Sequence, residues 1–413
     1  DRFRFLRASF HPSGLPQHIP GKSSNECWAF AQLCHELQER HGLSTADPRV
    51  ILTVIDDDSE LHERYFEALT YAFLTTPVSQ RYLRTWQPPI CHFKNYLRQP
   101  LLVRVSAMFA TLSELSCLAN PYDCHVNYSS YSLSLALATS VGGWDPDYLA
   151  EDWHMYAKCA LKTEGRVRCE AIFLPLLNYT PEEDSSWATM VSRWDQARRH
   201  ALGVSEVVYV ISALCLGALE IRGWLRRFVF LWRLLPVLGK FVQVHLMNAM
   251  SLVVNVLAQV VIHFYMWRSW CYMSSWRAMG DEEGACELLG QASSQAGMAQ
   301  DQILVNSLLV HMQQHLAAGL SIAVLFSAGL GIVYFELVRE RVEGDASSDA
   351  LTRSPLLHGV YVVVAASVVG WLSTSIYGVI PTWMAVYRII WDTRFKHVVA
   401  GMAGRPMSHE TAD

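Results

Sequence analysis

The chain has 413 residues, of which 51% are hydrophobic and only 17% charged, with a formal net charge of −5. The charged share falls well below the roughly 25% of an average soluble protein, and the mild negative charge excludes the broadly basic surface that nucleic-acid binding requires. The deficit is uneven: residues 1–200 carry acids and bases throughout, whereas long apolar runs begin near residue 204. In a chain of this length that division predicts a soluble domain followed by a membrane region.

In chain order, residues 1–20 read as irregular, with Pro12, Pro16 and Pro20, and residues 22–40 as a helix. Arg49 to Ile55 is a continuous apolar run that stops at Asp56-Asp57-Asp58-Ser59, and such a run predicts a buried parallel strand. Residues 60–75 follow as an amphipathic helix and 98–118 as an apolar one. A polar, Ser- and Tyr-rich stretch leads into the turn Val141-Gly142-Gly143-Trp144-Asp145-Pro146, and Glu151-Asp152 then opens a helix running to about Leu161. Acids in a first turn suit the helix dipole. Arg166 to Leu177 predicts one strand, and residues 184–202 a helix with Asp184 or Ser185 as N-cap and Gly203 as its stop.

Four apolar stretches follow. Val242–Phe264, Ala317–Leu337 and Gly359–Ile380 meet the roughly 20 residues a span needs, whereas Val207–Leu219 is short. Residues 221–240 alternate basic and aromatic residues, as a helix lying in the headgroup layer does. Their five Lys and Arg place them on the cytoplasmic side, while the basic tail at Arg388, Arg394, Lys396 and Arg405 argues for the opposite count of spans. The expected organisation is therefore a catalytic-type domain over 1–203, interfacial helices over 204–241, transmembrane helices over 242–390 with a polar loop at 266–315, and a polar tail over 391–413. The ten Cys form no C-x-x-C pair and read as reduced thiols. His62, His92 and His125 read as surface or turn residues, and Trp86, Trp144 and Trp153 as packing.

Three clusters in the soluble half carry chemistry. Carboxylates at Asp56 and Asp58, two apart after a strand, suit Mg²⁺ or Mn²⁺. Asp152 or its neighbour Glu151 suits proton abstraction from a hydroxyl. Gln196-Ala197-Arg198-Arg199-His200 offers Arg forks for phosphate oxygens. Taken singly, the first is at least as well a solvated acidic turn, and the second and third read better as a helix-start charge pair and a basic helix facing lipid headgroups.

In this order the clusters resemble the membrane-embedded family-2 glycosyltransferases, the group of cellulose, chitin and hyaluronan synthases. Gly21-Lys22-Ser23-Ser24-Asn25 resembles the family's Gly-Lys-x-x-x-Asn segment with one residue fewer. Asp56-Asp57-Asp58 resembles its D-x-D, Gly142-Gly143-Trp144-Asp145 with Glu151-Asp152 its Gly-Gly-aromatic-Asp and Glu-Asp, and Gln196 to His200 its Q-x-x-R-W. The resemblance implies a GT-A-type α/β domain followed by transmembrane helices. It implies an inverting transfer from a UDP- or GDP-linked sugar to a glycan or lipid-linked acceptor in a multi-pass protein of plasma membrane or Golgi, with the domain cytosolic. Asp56 and Asp58 would hold Mn²⁺ or Mg²⁺, and Asp152, beside Glu151, would be the general base. Gln196, Arg199, His200, Lys22 and Trp144 would meet the diphosphate and the acceptor. Two departures bear on this. His200 replaces an acceptor-stacking Trp, and the family's opening strands have no match, so they are expected before residue 1. A catalytically degenerate scaffold is the alternative reading, and a transporter a weaker one.

Overall fold

The computed structural model describes residues 6–247 apart from 17, 48 and 93, scattered helical positions between 249 and 265, and residues 369–391 apart from 371. The chain divides into two units, one of Asp1–Ala249, Glu340–Val342 and Val368–Asp413, the other of Met250–Arg339 and Glu343–Ser367. In the second unit the described positions, among them Val254, Leu257, Val260 and Val261, are helical with exposed apolar side chains. The expected span Ala317–Leu337, the polar loop and the tail beyond Trp391 lie outside the described residues, and the other two expected spans are described only in part.

The first unit opens with helix α1, Lys22–His41, over the stretch expected from sequence. Strand β1, Ile51–Val54, and the short β2, Glu60–Leu61, flank the Asp56–Ser59 turn, and α2, Tyr65–Thr75, buries Tyr65, Leu69 and Phe73 along one face at helical spacing. Strands β3, Arg84–Gln87, and β4, Ile90–Cys91, precede α3, Leu101–Ala119. Strand β5, Tyr131–Ser134, runs into the short α4, Leu135–Ser140, whose N-cap Ser134 accepts from the amide of Leu137. Helix α5, Glu151–Lys162, strands β6, Arg168–Ala171, and β7, Leu176–Leu177, and helix α6, Ser186–Ala201, complete this part.

The strands form a four-stranded sheet in the order β1-β5-β3-β6 and a three-stranded sheet in the order β2-β7-β4. Strand β1 pairs antiparallel with β5 (Ile51 opposite Ser134, Val54 opposite Tyr131) and is the sheet's edge. The expectation of a buried parallel strand is corrected: all four β1 residues are only half-buried, and an apolar run by itself does not specify its partner. The true parallel pairs are β3 with β6 and β4 with β7. The single strand expected over Arg166–Leu177 is broken in two at Pro175, opposite the break at Pro88-Pro89. Proline donates no amide hydrogen, but its carbonyl still accepts, and Leu176 N–H bonds Pro89 O at 3.0 Å across the gap.

Strands β3 and β5 have no apolar signature because Thr85, Gln87 and Ser132 are buried polar residues satisfied by partners elsewhere in the chain. Thr85 Oγ1 donates to Asn127 Oδ1 at 2.7 Å, Gln87 Oε1 accepts from Tyr128 N–H at 2.8 Å, and Ser132 Oγ lies 2.9 Å from Thr53 Oγ1 and 3.0 Å from the Tyr65 hydroxyl. Paired in this way, buried polar groups avoid the roughly 1–3 kcal/mol each would otherwise cost.

Helix α6 ends at Ala201, beside the expected stop, with its N-cap at Ser185, one of the two expected. Gly203 nonetheless keeps helical angles (φ −55°, ψ −13°), and α7, Val204–Glu220, follows after a two-residue turn. Residues Ser186–Ala218 thus make one 33-residue helical run long and apolar enough to cross a membrane, rather than a 13-residue fragment. Helix α8, Trp224–Val242, returns after a three-residue link and packs on α7. It buries Phe230, Leu234, Val237 and Phe241, and exposes Trp224, Leu225, Phe228, Trp232 and Leu235. The stretch read as interfacial therefore belongs to a helix, Trp224–Leu246, of spanning length, and Leu101–Ala119 is the third such helix among the described residues. A last helix, α9, Ile380–Trp391, packs against α6.

Candidate active site

The site begins at the first residue of α1. A lysine at a helix N-terminus opposes the macrodipole by about 0.3–1 kcal/mol, so Lys22 needs stronger partners elsewhere. Its ammonium lies 2.7 Å from Asp56 Oδ1, 3.1 Å from Glu151 Oε1 and 3.7 Å from Glu26 Oε1, and it donates to Ser129 O at 2.7 Å. One amine thus ties the turn after β1, the N-terminus of α5 and the loop before β5 together. Burial disfavours the charge on Lys22, but Glu151, Glu26, Asp56 and Asp152 outweigh it and lift its pKa above the ordinary lysine range.

The surrounding acids respond in the opposite sense. Asp152, at the first turn of α5, accepts its neighbour Trp153's amide at 2.9 Å. Burial first, and then the charge of Glu151, push its pKa up to about 8, with Lys22 acting the other way. Burial also raises Glu26, whose carboxylate oxygens have no hydrogen-bond partner among the described residues. Asp58 is raised by burial and by the charges of Asp56 and Asp57. Negative charge therefore exceeds positive charge here, and the donors are hard carboxylate oxygens. Both features fit a divalent cation at Asp56 and Asp58, with ligand oxygens completing its shell. No group of three metal-binding side chains is assembled among the described residues.

The Gly142–Asp145 turn is the scaffold beneath this cluster. Gly143 adopts φ +75°, and a Cβ there would stand 2.5 Å from Phe30 Cδ1, so glycine is required twice over. Trp144 is 95% buried, meets Phe30 edge to face and donates to the Tyr131 hydroxyl at 3.0 Å. It sits in the core. Asp145 accepts from Lys158 Nζ at 2.8 Å and pairs with His154 Nε2 at 2.8 Å, and its carbonyl accepts from the Ser23 hydroxyl. Burial alone would raise Asp145, but His154 and Lys158 together hold it below the usual carboxylate range.

Helix α6 presents the third cluster separately. Arg193 is buried, grips Ser106 of α3 through Nε at 3.2 Å and Nη2 at 2.8 Å, and holds Gln196 Oε1 with Nη1. Arg199 is half-buried and His200 exposed. Among the described residues no hydrogen bond or ion pair joins Gln196, Arg199 or His200 to the Lys22 cluster. His92, expected at the surface, is instead drawn inward, where burial and then Arg193 push its pKa down to about 4. Trp86 and Trp153 are core residues as expected.

Sequence reading missed Glu26, His154, Lys158 and Glu206. The pairing of Lys22 with Glu26 was open to it as an i, i+4 spacing, and Glu206 as a lone acid in an apolar helix.

These features, a mixed α/β domain with acids gathered beyond a strand end and at a helix start, followed by long apolar helices, are those of a GT-A-type glycosyltransferase. Residues 51–278 match the family model described as Glycosyl transferase family group 2. The match covers more than half of the chain, and the chain belongs to that family and is a glycosyltransferase. No curated protein and no solved structure matches it. The matched stretch opens at β1, so Lys22 and Glu26 precede it.

Proposed function

We propose that this enzyme transfers a sugar, with inversion, from a UDP- or GDP-linked donor to a glycan or lipid-linked acceptor at a membrane, using Mn²⁺ or Mg²⁺. The observation that carries the reading is the Lys22 hub, which brings the Asp56 turn and the Glu151–Asp152 helix start into one cluster. Asp56 and Asp58 would hold the cation, which when bound neutralises the donor's diphosphate.

Asp152 takes the proton of the acceptor hydroxyl as its oxygen bonds the anomeric carbon and the bond to the diphosphate breaks. A base is most effective when its pKa lies near the working pH, and Asp152 at about 8 is close to that. Glu151 keeps Lys22 in place and raises Asp152. Arg199 and Gln196, with His200 beside them, serve the diphosphate and acceptor side. In His200 the reading has a ring smaller than tryptophan for stacking, which favours a short or lipid-linked acceptor over a long glycan chain. Trp144 and Lys22 act beneath the site, through packing and charge.

The test uses membranes containing the full chain, a panel of labelled UDP- and GDP-sugars, and Mn²⁺ or Mg²⁺, comparing wild type with Asp152→Asn. Metal-dependent incorporation abolished by the substitution, with UDP or GDP binding retained, is the expected result. Incorporation that survives Asp152→Asn refutes the base assignment.

A further inference from the structure

Glu206 is fully buried (0% exposed) on α7, which also buries Val204, Val207 and Val210. A carboxylate in such a helix is costly unless it is paired, and a paired one commonly serves a purpose. Its Oε2 lies 2.9 Å from His154 Nδ1, while Oε1 has no hydrogen-bond partner among the described residues. The opposite nitrogen of the same ring, Nε2, lies 2.8 Å from Asp145 Oδ2. With a carboxylate on each side, both ring nitrogens are hydrogen-bonded, an arrangement that favours the doubly donating imidazolium. Burial disfavours that charge, but Asp145 and Glu206 outweigh it and raise His154 above its ordinary value. Tyr148 lies flat on the ring, 3.4 Å between centroids and 15° from parallel, and Tyr209 of α7 meets it at 4.5 Å.

The position of this ring in the chain gives it its consequence. His154 is two residues beyond Asp152, within the same first turns of α5. Through Asp145 it is linked to Lys158, to the Gly143 turn, which Lys158 also bonds at 2.8 Å, and by the Asp145 carbonyl to Ser23, next to Lys22. Glu206, like Tyr209, belongs to a helix of membrane-spanning length.

We infer that Glu206 and His154 are positioning residues for the transfer reaction: they clamp the catalytic end of α5 to α7 and so let the apolar helix set the placement of Asp152. The inference rests on the reading of Asp152 as base. A clamp of this kind acts on the geometry of the reacting step and not on the donor's diphosphate, which meets other residues. The rate of transfer should therefore depend on it far more than nucleotide affinity does, because a base displaced by about 1 Å can lose on the order of 100-fold in rate.

The experiment compares full-length wild type, His154→Gln, Glu206→Gln, Glu206→Leu and Asp152→Asn in membranes, measuring kcat and donor KM per folded molecule, UDP and GDP binding with Mn²⁺, and thermal stability. Expected are a kcat at least tenfold lower in His154→Gln and Glu206→Leu, with KM and nucleotide affinity within about twofold of wild type, and partial recovery in Glu206→Gln, whose amide oxygen still accepts from the ring. If kcat per folded molecule is unchanged while thermal stability falls, the cluster only stabilises the fold and the inference is overturned. Should His154→Gln fail to fold, the ratio of kcat between Glu206→Gln and Glu206→Leu decides, and equal values overturn it. An active Asp152→Asn points instead to failure of the base assignment, a result the other variants do not imitate.

Discussion

Replacing Lys22 by methionine removes the positive charge from the cluster and keeps most of the side-chain volume. Three acids then lose a counter-charge that stands 2.7 Å from Asp56, 3.1 Å from Glu151 and 3.7 Å from Glu26. Removing one partner of a buried pair costs about 3–5 kcal/mol. The lysine side chain is 29% exposed and Asp56 23%, so water screens part of this and about 2–4 kcal/mol is the expected loss. At about 2–4 °C per kcal/mol for a domain of this size, the melting temperature should fall by roughly 5–15 °C. The sign of the pH dependence follows from the acids. Burial raises the folded pKa values of Glu26 and Asp152, so the stability these two permit is full below their unfolded values near 4 and is lost as pH climbs through the folded ones. Without Lys22 those folded values rise further, so the deficit against wild type should be largest near pH 8 and shrink toward pH 5. Thermal unfolding in nanodiscs at pH 5, 6, 7 and 8 reads this directly. A melting temperature within 2 °C of wild type at pH 8, or a deficit that does not change with pH, refutes the claim that Lys22 holds the cluster together.

The transfer rate should rise with pH through a limb near 8, because Asp152 must be ionised to accept a proton, and added divalent cation should move the limb lower; a flat profile from pH 6 to 9 contradicts this. Gly143→Ala forces φ +75° on a residue with a Cβ and drives that atom into Phe30, a loss of about 2–4 kcal/mol by backbone strain and overpacking together; Phe30→Leu in the same chain should restore part of the melting temperature. Asp58→Asn should leave the melting temperature unchanged or raised, since it removes like charge beside Asp56 and Asp57, and should weaken metal-dependent UDP or GDP binding at least tenfold, measured by calorimetry. Arg193→Lys loses the fork that spans Ser106 and Gln196, and transfer, measured with labelled donor in membranes, should drop.

Much of the site was legible along the chain because its chemistry is local. Two carboxylates beyond an apolar run, two acids at a helix start and a Gly-Gly turn are each defined by neighbours a few residues apart, and their order pointed to the family before any fold was in view. The same holds for α1, α2, α5 and α6, whose apolar spacing and, in α6, a serine cap mark them directly.

What tertiary structure decided is of another kind. Strand partners were not readable: β1 is an antiparallel edge because β5 lies beside it, and β5 escaped notice because its buried Ser132 is satisfied by Thr53 and Tyr65, which are remote in sequence. The run of α6 into α7 was hidden because glycine is compatible with both a stop and a continuing helix, and here its φ is −55°. Above all, Lys22, Asp56 and Glu151 meet only after folding, as do His154, Asp145 and Glu206. A charge registers its partners by distance in space, and at 2.7 to 3.1 Å these pairs join elements that lie far apart in the sequence.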